Sequence, residues 1–202
     1  MLVRMILVLA ALTSAAQAQE AASPAQMQEA EVAAAPGVAE VLKSLPAKRL
    51  KALRTAPGGF LDDAAEVIYA NGRDGQIDAA GIETYIELRR AEIRARRLGL
   101  FLAADLDNDG AITLAEASLF AASLGARRRG EVQWGFDAAD ADANRSVTMD
   151  ELRSHADGAA MKFLDETEAA GLRSLILFDL DGNGRVAMDE VVVAVSALAE
   201  KG

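Results

Sequence analysis

Residues 105–116 read DLDNDGAITLAE. Acidic side chains stand at alternate positions, Asp105, Asp107 and Asp109; Gly110 follows, then apolar Ile112, Thr113, and Glu116 as the twelfth residue. Ca²⁺ is a hard cation that takes six to eight oxygens, so a short loop that holds it must turn several carboxylates inward at once. Positions one, three and five do this with side chains. At the seventh position Ala111 needs only its backbone carbonyl, at the ninth Thr113 holds a bridging water, and Glu116 supplies two oxygens from the first turn of the next helix. Gly110 makes the bend, because a residue without Cβ adopts positive φ at little cost.

The pattern returns at residues 140–151 (DADANRSVTMDE) and 179–190 (DLDGNGRVAMDE), with starts at 105, 140 and 179 that lie 35 and 39 residues apart. This is an internal repeat of an EF-hand loop. Acidic turns without an ion would not repeat the apolar eighth position and the twelfth Glu. The expected ligands are Asp140, Asp142, Asn144, the Ser146 carbonyl, Thr148 and Glu151 in one loop. In the other they are Asp179, Asp181, Asn183, the Arg185 carbonyl and Glu190.

The three loops are unequal. The loop at 105 offers four acidic ligands and the loop at 179 three plus Asn183, each with Gly at the bend. The loop at 140 puts Arg145 where Gly belongs. Holding a Cβ at positive φ costs roughly 1–2 kcal/mol, on the order of tenfold in affinity, so this site is expected to be the weakest. A fourth copy, residues 70–81 (ANGRDGQIDAAG), keeps Gly75 and Ile77 but has Ala70, Gly72 and Gly81 at positions one, three and twelve. It reads as a degenerate loop retained for pairing, with Ile77 bridging to Ile112 and Val147 to Val186. The competing account is a longer loop that binds through backbone carbonyls and Glu83.

The remainder of the chain frames these loops. Residues 1–18 read as a secretory signal, with Arg4, an apolar run over residues 5–12 and Ala16-Gln17-Ala18 as cleavage site, so the protein is expected to be secreted or periplasmic without stable membrane insertion. Residues 19–57 comprise a polar leader and two short helices divided by Pro46. There is no Cys, hence no disulfide and no lipidated thiol. The formal net charge of −10 argues against nucleic acid and suits cations. A long helix over residues 82–104 carries Arg89, Arg90, Arg94, Arg96 and Arg97, a solvated face or a surface for an acidic partner. The Gly125–Gly130 stretch with three Arg between reads as a seam between lobes, and His155, without a second His or any Cys, completes no zinc site.

On these loops, residues 58–202 resemble a calmodulin-like protein, which implies an all-α fold of four EF-hands in two lobes with short β-bridges, residues 58–125 forming the first and 131–202 the second. The resemblance implies Ca²⁺ as bound ion, a sensor or buffer role, and no enzymatic activity; a calcium-rigidified interaction module is the alternative. The chain departs from calmodulin in its N-terminal extension and its few Met. Met149, Met161 and Met188 alone fall in the repeat region, which disfavours a Met-lined groove for target helices.

Overall fold

The structure, a computed structural model, describes residues 36–199. The expected signal peptide and leader lie outside those residues. The described part is built of helices: α1 (Pro36–Ser44), α2 (Ala47–Thr55), α3 (Pro57–Asn71), α4 (Ala79–Leu102), α5 (Leu114–Ala122), α6 (Ala126–Ala139), α7 (Met149–Phe163), α8 (Glu166–Arg173) and α9 (Met188–Ala199). A 3₁₀ turn, Ser174–Phe178, follows α8. Four three-residue strands lie in the loops: β1 (Gln76–Asp78), β2 (Ala111–Thr113), β3 (Ser146–Thr148) and β4 (Arg185–Ala187). No described helix is long and apolar enough to cross a membrane.

The strand pairing differs from the expected one. Antiparallel β1 and β4 join the first loop to the fourth through Ile77 and Val186, while β2 and β3 join the second to the third through Ile112 and Val147. The cause is α4. Between Gly81 and Asp105 the sequence offers no Pro, so the helix leaving loop 1 runs on into loop 2 as 24 residues, about 36 Å at a rise of 1.5 Å per residue. Loops at opposite ends of such a rod cannot share a ladder. The return path over α7 and α8 packs against α4 and carries loops 3 and 4 back to the two ends.

Two apolar cores result, and they do not follow the expected division into 58–125 and 131–202. One joins Phe60, Ile68, Ile77, Ile82, Phe178 and Val186, from loops 1 and 4 and their helices. The other joins Phe101, Ile112, Val132, Phe136, Val147 and Leu152, from loops 2 and 3. The Gly125–Gly130 stretch therefore lies within the second half; Gly125 precedes α6, the three Arg form its first turn, and α5 packs on α6. The N-terminal helices, separated at Pro46 as expected, add Val38, Val41, Leu45 and Leu53 to the first core. Burying each such side chain is worth about 1.5–3 kcal/mol relative to exposure.

Between loops 3 and 4 the chain is not one helix but is broken at Leu164-Asp165. The Asp165 carboxylate caps α8 by accepting from Glu168 N at 2.8 Å. Arg90 of α4 clasps this corner, its Nε donating to the Leu164 carbonyl at 3.2 Å and its guanidinium pairing with Glu166 at 2.8 Å. Arg173 bridges Glu166 and Glu83 at 3.0 and 2.5 Å. Part of the basic face of α4 thus ties the two helical layers together and is not simply solvated.

Two predictions follow from this packing. A Cβ at Gly135 would lie 2.7 Å from Cζ of Phe101, so Gly135→Ala should destabilise the protein by about 1–3 kcal/mol in thermal unfolding. Hydrogen bonds from Arg173 hold the Glu83 carboxyl below its ordinary value of 4.5, and those from Arg90 and Arg173 do the same for Glu166. Both acids therefore contribute stability that is present above their unfolded pKa and lost as pH falls through the depressed folded values. Arg173→Ala should flatten the acid limb of the stability profile, measured by denaturation from neutral pH downward.

Candidate metal centre

Each complete loop is closed by its twelfth residue. Thr113 ends β2 and caps α5: its hydroxyl accepts from Glu116 N at 3.3 Å and donates to Glu116 Oε2 at 2.7 Å, while Thr113 N reaches the same oxygen at 2.8 Å. Such a capping box satisfies two free amides at a helix start. Glu116 Oε1 meanwhile accepts from Leu106 N at 3.0 Å, across the mouth of the loop. Loop 3 repeats this arrangement, with Thr148 on Glu151 and Ala141 N on Oε1 at 3.0 Å. In loop 4 Ala187 has no hydroxyl; its amide and that of Leu180 hold Glu190, each at 2.8 Å. The ninth-position Thr hydroxyls hold the Glu. The Thr backbone and hydroxyl donors keep Glu116 and Glu151 below the ordinary carboxyl pKa and so ready as anions.

The first and third residues converge from the other side. Asp105 accepts from Asp109 N and Gly110 N at 3.2 and 3.1 Å, Asp140 from Asn144 N and Arg145 N at 3.1 and 2.9 Å, and Asp179 from Asn183 N and Gly184 N at 3.0 and 2.8 Å. Asp107, Asp142 and Asp181 accept from the amide of residue five at 3.2, 3.1 and 3.0 Å. At position five, Asp109, Asn144 and Asn183 each accept from the amide of position seven, Ala111, Ser146 and Arg185, at 2.8, 2.7 and 2.7 Å. In consequence Asp105–Asp107–Asp109, Asp140–Asp142–Glu151 and Asp179–Asp181–Glu190 each bring ligand atoms within 4.8 Å of one another. The donors are all oxygen and mostly anionic, a set that fits Ca²⁺.

Backbone strain separates the three. Positive φ occurs at position four as well as six: Asn108 and Gly110 in loop 2 (59° and 87°), Ala143 and Arg145 in loop 3 (58° and 68°), Gly182 and Gly184 in loop 4 (74° and 81°). Only Gly is free of cost there, and Asn is tolerated better than Ala or Arg. Loop 3 therefore carries two unfavourable residues, where the sequence reading had recognised one.

Loop 1 is closed by backbone hydrogen bonds and lacks an acidic cluster among the described residues. Asp74 and Gly75 have φ of 55° and 76°, and Arg73 and Gln76 exchange N–H···O bonds of 2.8 and 3.0 Å. This is the geometry of a two-residue hairpin of type I′. A Cβ at Gly72 would lie 2.2 Å from the Ile68 carbonyl oxygen, and one at Gly81 2.7 Å from Ile77 Cγ1, so carboxylates at those positions are sterically shut out. Glu83, the alternative ligand, is held by Arg173. The sole histidine belongs to none of the metal-ligand clusters found among the described residues: His155 is half-buried, its ring centroid 6.1 Å edge-on from that of Phe101, and burial followed by Arg97 lowers its pKa.

A family model described as EF hand matches residues 98–116, the end of α4 together with loop 2. No curated protein and no solved structure matches the chain. The match, with the three acidic clusters, identifies Ca²⁺ as the ion these loops are built for. Relief of strain gives a direct check: Arg145→Gly should raise the affinity of loop 3 for Ca²⁺ about tenfold by calorimetry, and Ala143→Gly should add to it.

Proposed function

We propose that this is an exported, calmodulin-like protein that binds Ca²⁺ in loops 2, 3 and 4 as a buffer or sensor and performs no catalysis. The observation that carries the reading is the twelfth-position Glu of each loop, anchored at both oxygens by amides of its own loop; in loops 3 and 4 its carboxylate converges with the Asp pair, and in loop 2 the converging set is Asp105, Asp107 and Asp109. Export rests on the N-terminal sequence alone, Arg4 followed by an apolar run and a small-residue cleavage site. In an extracellular or periplasmic setting affinities of about 10⁻⁴ to 10⁻³ M suffice. Against catalysis stand the absence of Cys from the sequence and a single His packed on a phenylalanine.

The nested pairing makes loops 2 and 3 one unit, linked by the Ile112–Val147 ladder and by Leu114 N donating to the Arg145 carbonyl at 3.0 Å. Loop 4 is paired with the ion-free loop 1. Calorimetric titration should therefore give three sites, two of them coupled. Glu116→Gln should abolish its own site and weaken loop 3, whereas Glu190→Gln should remove one site and leave the pair intact. Calcium stoichiometry unchanged in both variants would refute the reading.

A calcium-rigidified interaction module is the second reading, favoured by one feature: α4 belongs to both cores, so neither half opens without moving the other. Binding of a hydrophobic dye distinguishes them. A sensor gains dye fluorescence when calcium is added; a rigidified module gains thermal stability with no change in dye binding.

A further inference from the structure

A cleft of about 990 Å³ runs along α4 between the two halves, outside the metal loops. Its lining extends from Tyr85 to Ala103, about 27 Å of helix. Ile93, Leu100, Phe120, Phe163, Leu164 and Leu172 give it an apolar floor. Phe163 is 63% exposed although it is a large aromatic ring.

The charges around this floor are not balanced. Four acids line the cleft, and each already has a partner: Asp63 pairs with Arg49 at 3.7 Å, Glu66 accepts from the Tyr85 hydroxyl at 2.7 Å, Glu131 pairs with Arg127 at 3.3 Å, and Glu168 pairs with Lys48. Five arginines line it too. Arg89 and Arg96 share the single carboxylate of Glu92. Arg97 lies 6.0 Å from the Phe163 ring centroid and has no acidic partner among the described residues, and neither has Arg128. In a chain of net charge −10, the unspent charge in this cleft is positive.

We propose that the cleft docks an acidic amphipathic helix of a partner protein, its apolar face on the Phe163 floor and its carboxylates on Arg97 and Arg128. A helix laid in an apolar groove is a common mode of peptide recognition, and guanidinium forks pair with carboxylates bidentately. The length of the cleft accommodates about 18 helical residues. An anionic bilayer is disfavoured, because it is repelled by the net charge of −10.

The test uses the calcium-loaded protein and a fluorescent peptide of about 18 residues with Leu and Glu at helical spacing, beside a twin with Lys for Glu. Vesicles of phosphatidylcholine with phosphatidylglycerol are the third probe. The Glu peptide should bind in anisotropy titrations, the Lys twin should not, and salt should weaken binding. The double variant Arg97→Glu, Arg128→Glu should weaken it about tenfold or more, and Phe163→Ala likewise. Neither variant touches a metal loop, so an unchanged calcium titration verifies folding and keeps this result separate from the calcium reading. Equal binding of the two peptides, undiminished binding by either variant, vesicle binding without peptide binding, or self-association of the chain without peptide binding would each overturn the proposal.

Discussion

The continuity of α4 is the constraint on which the architecture depends. A chain of helix-loop-helix units has two ways to shield the short strand in each loop, pairing neighbours or pairing across a longer connection. An uninterrupted rod of 24 residues removes the first. Loops 1 and 2 are carried to opposite ends, and only loops delivered by the returning layer, α7 with α8, are close enough to complete the two ladders. The corner at Leu164-Asp165 makes this return, and Arg90 holds it to α4 through the free carbonyl at the end of α7. The packing of α4 against the returning helices is thus a condition for the metal loops to be paired at all.

Within the loops, local hydrogen bonding accomplishes what is otherwise asked of the ion. Carboxylates brought within a few ångströms repel one another, and here the backbone amides of positions five and six turn toward Asp at position one while those of positions two and nine hold the Glu. A loop so arranged loses less conformational freedom when it closes on a cation, which favours binding without adding a contact. Loop 1 reaches closure differently, through a hairpin turn with Gly at the points of closest approach. Its ladder to β4 persists because that requires Ile77 and backbone alone.

The three acidic clusters and the helical class were legible because the chemistry is local: residue type and spacing within twelve positions determine which carboxylates converge. The break at Pro46, the degenerate first loop and the strain at Arg145 are local in the same sense. The partnership of the loops was not legible. Ile77, Ile112, Val147 and Val186 are near-equivalent side chains at equivalent positions, so nothing in the ladder itself says which meets which. The available signal was the absence of Pro between Gly81 and Asp105, which lets one helix run through Gly99 and carries the neighbouring loops to opposite ends. The seam read from Gly125 to Gly130 failed for a related reason. Gly125 sits at the N-cap, outside the helix, and Gly130 inside α6 weakens it by about 1 kcal/mol, which the packing of α6 on α5 outweighs.

The same rod gives the basic face of α4 two distinct employments. Arg90 lies where α4 meets the corner of the returning layer; its side chain is 17% exposed, and it is consumed by a carbonyl and a carboxylate. Arg97, seven residues or about two turns further on, falls on nearly the same side of the helix but beyond that corner, where α7 ends in Phe163 and presents an aromatic ring in place of an acid. An arginine is therefore structural where the returning chain exposes oxygen and remains available where it exposes carbon. The charge left over in the cleft is a consequence of where α7 stops, and that position is set by the Asp165 cap.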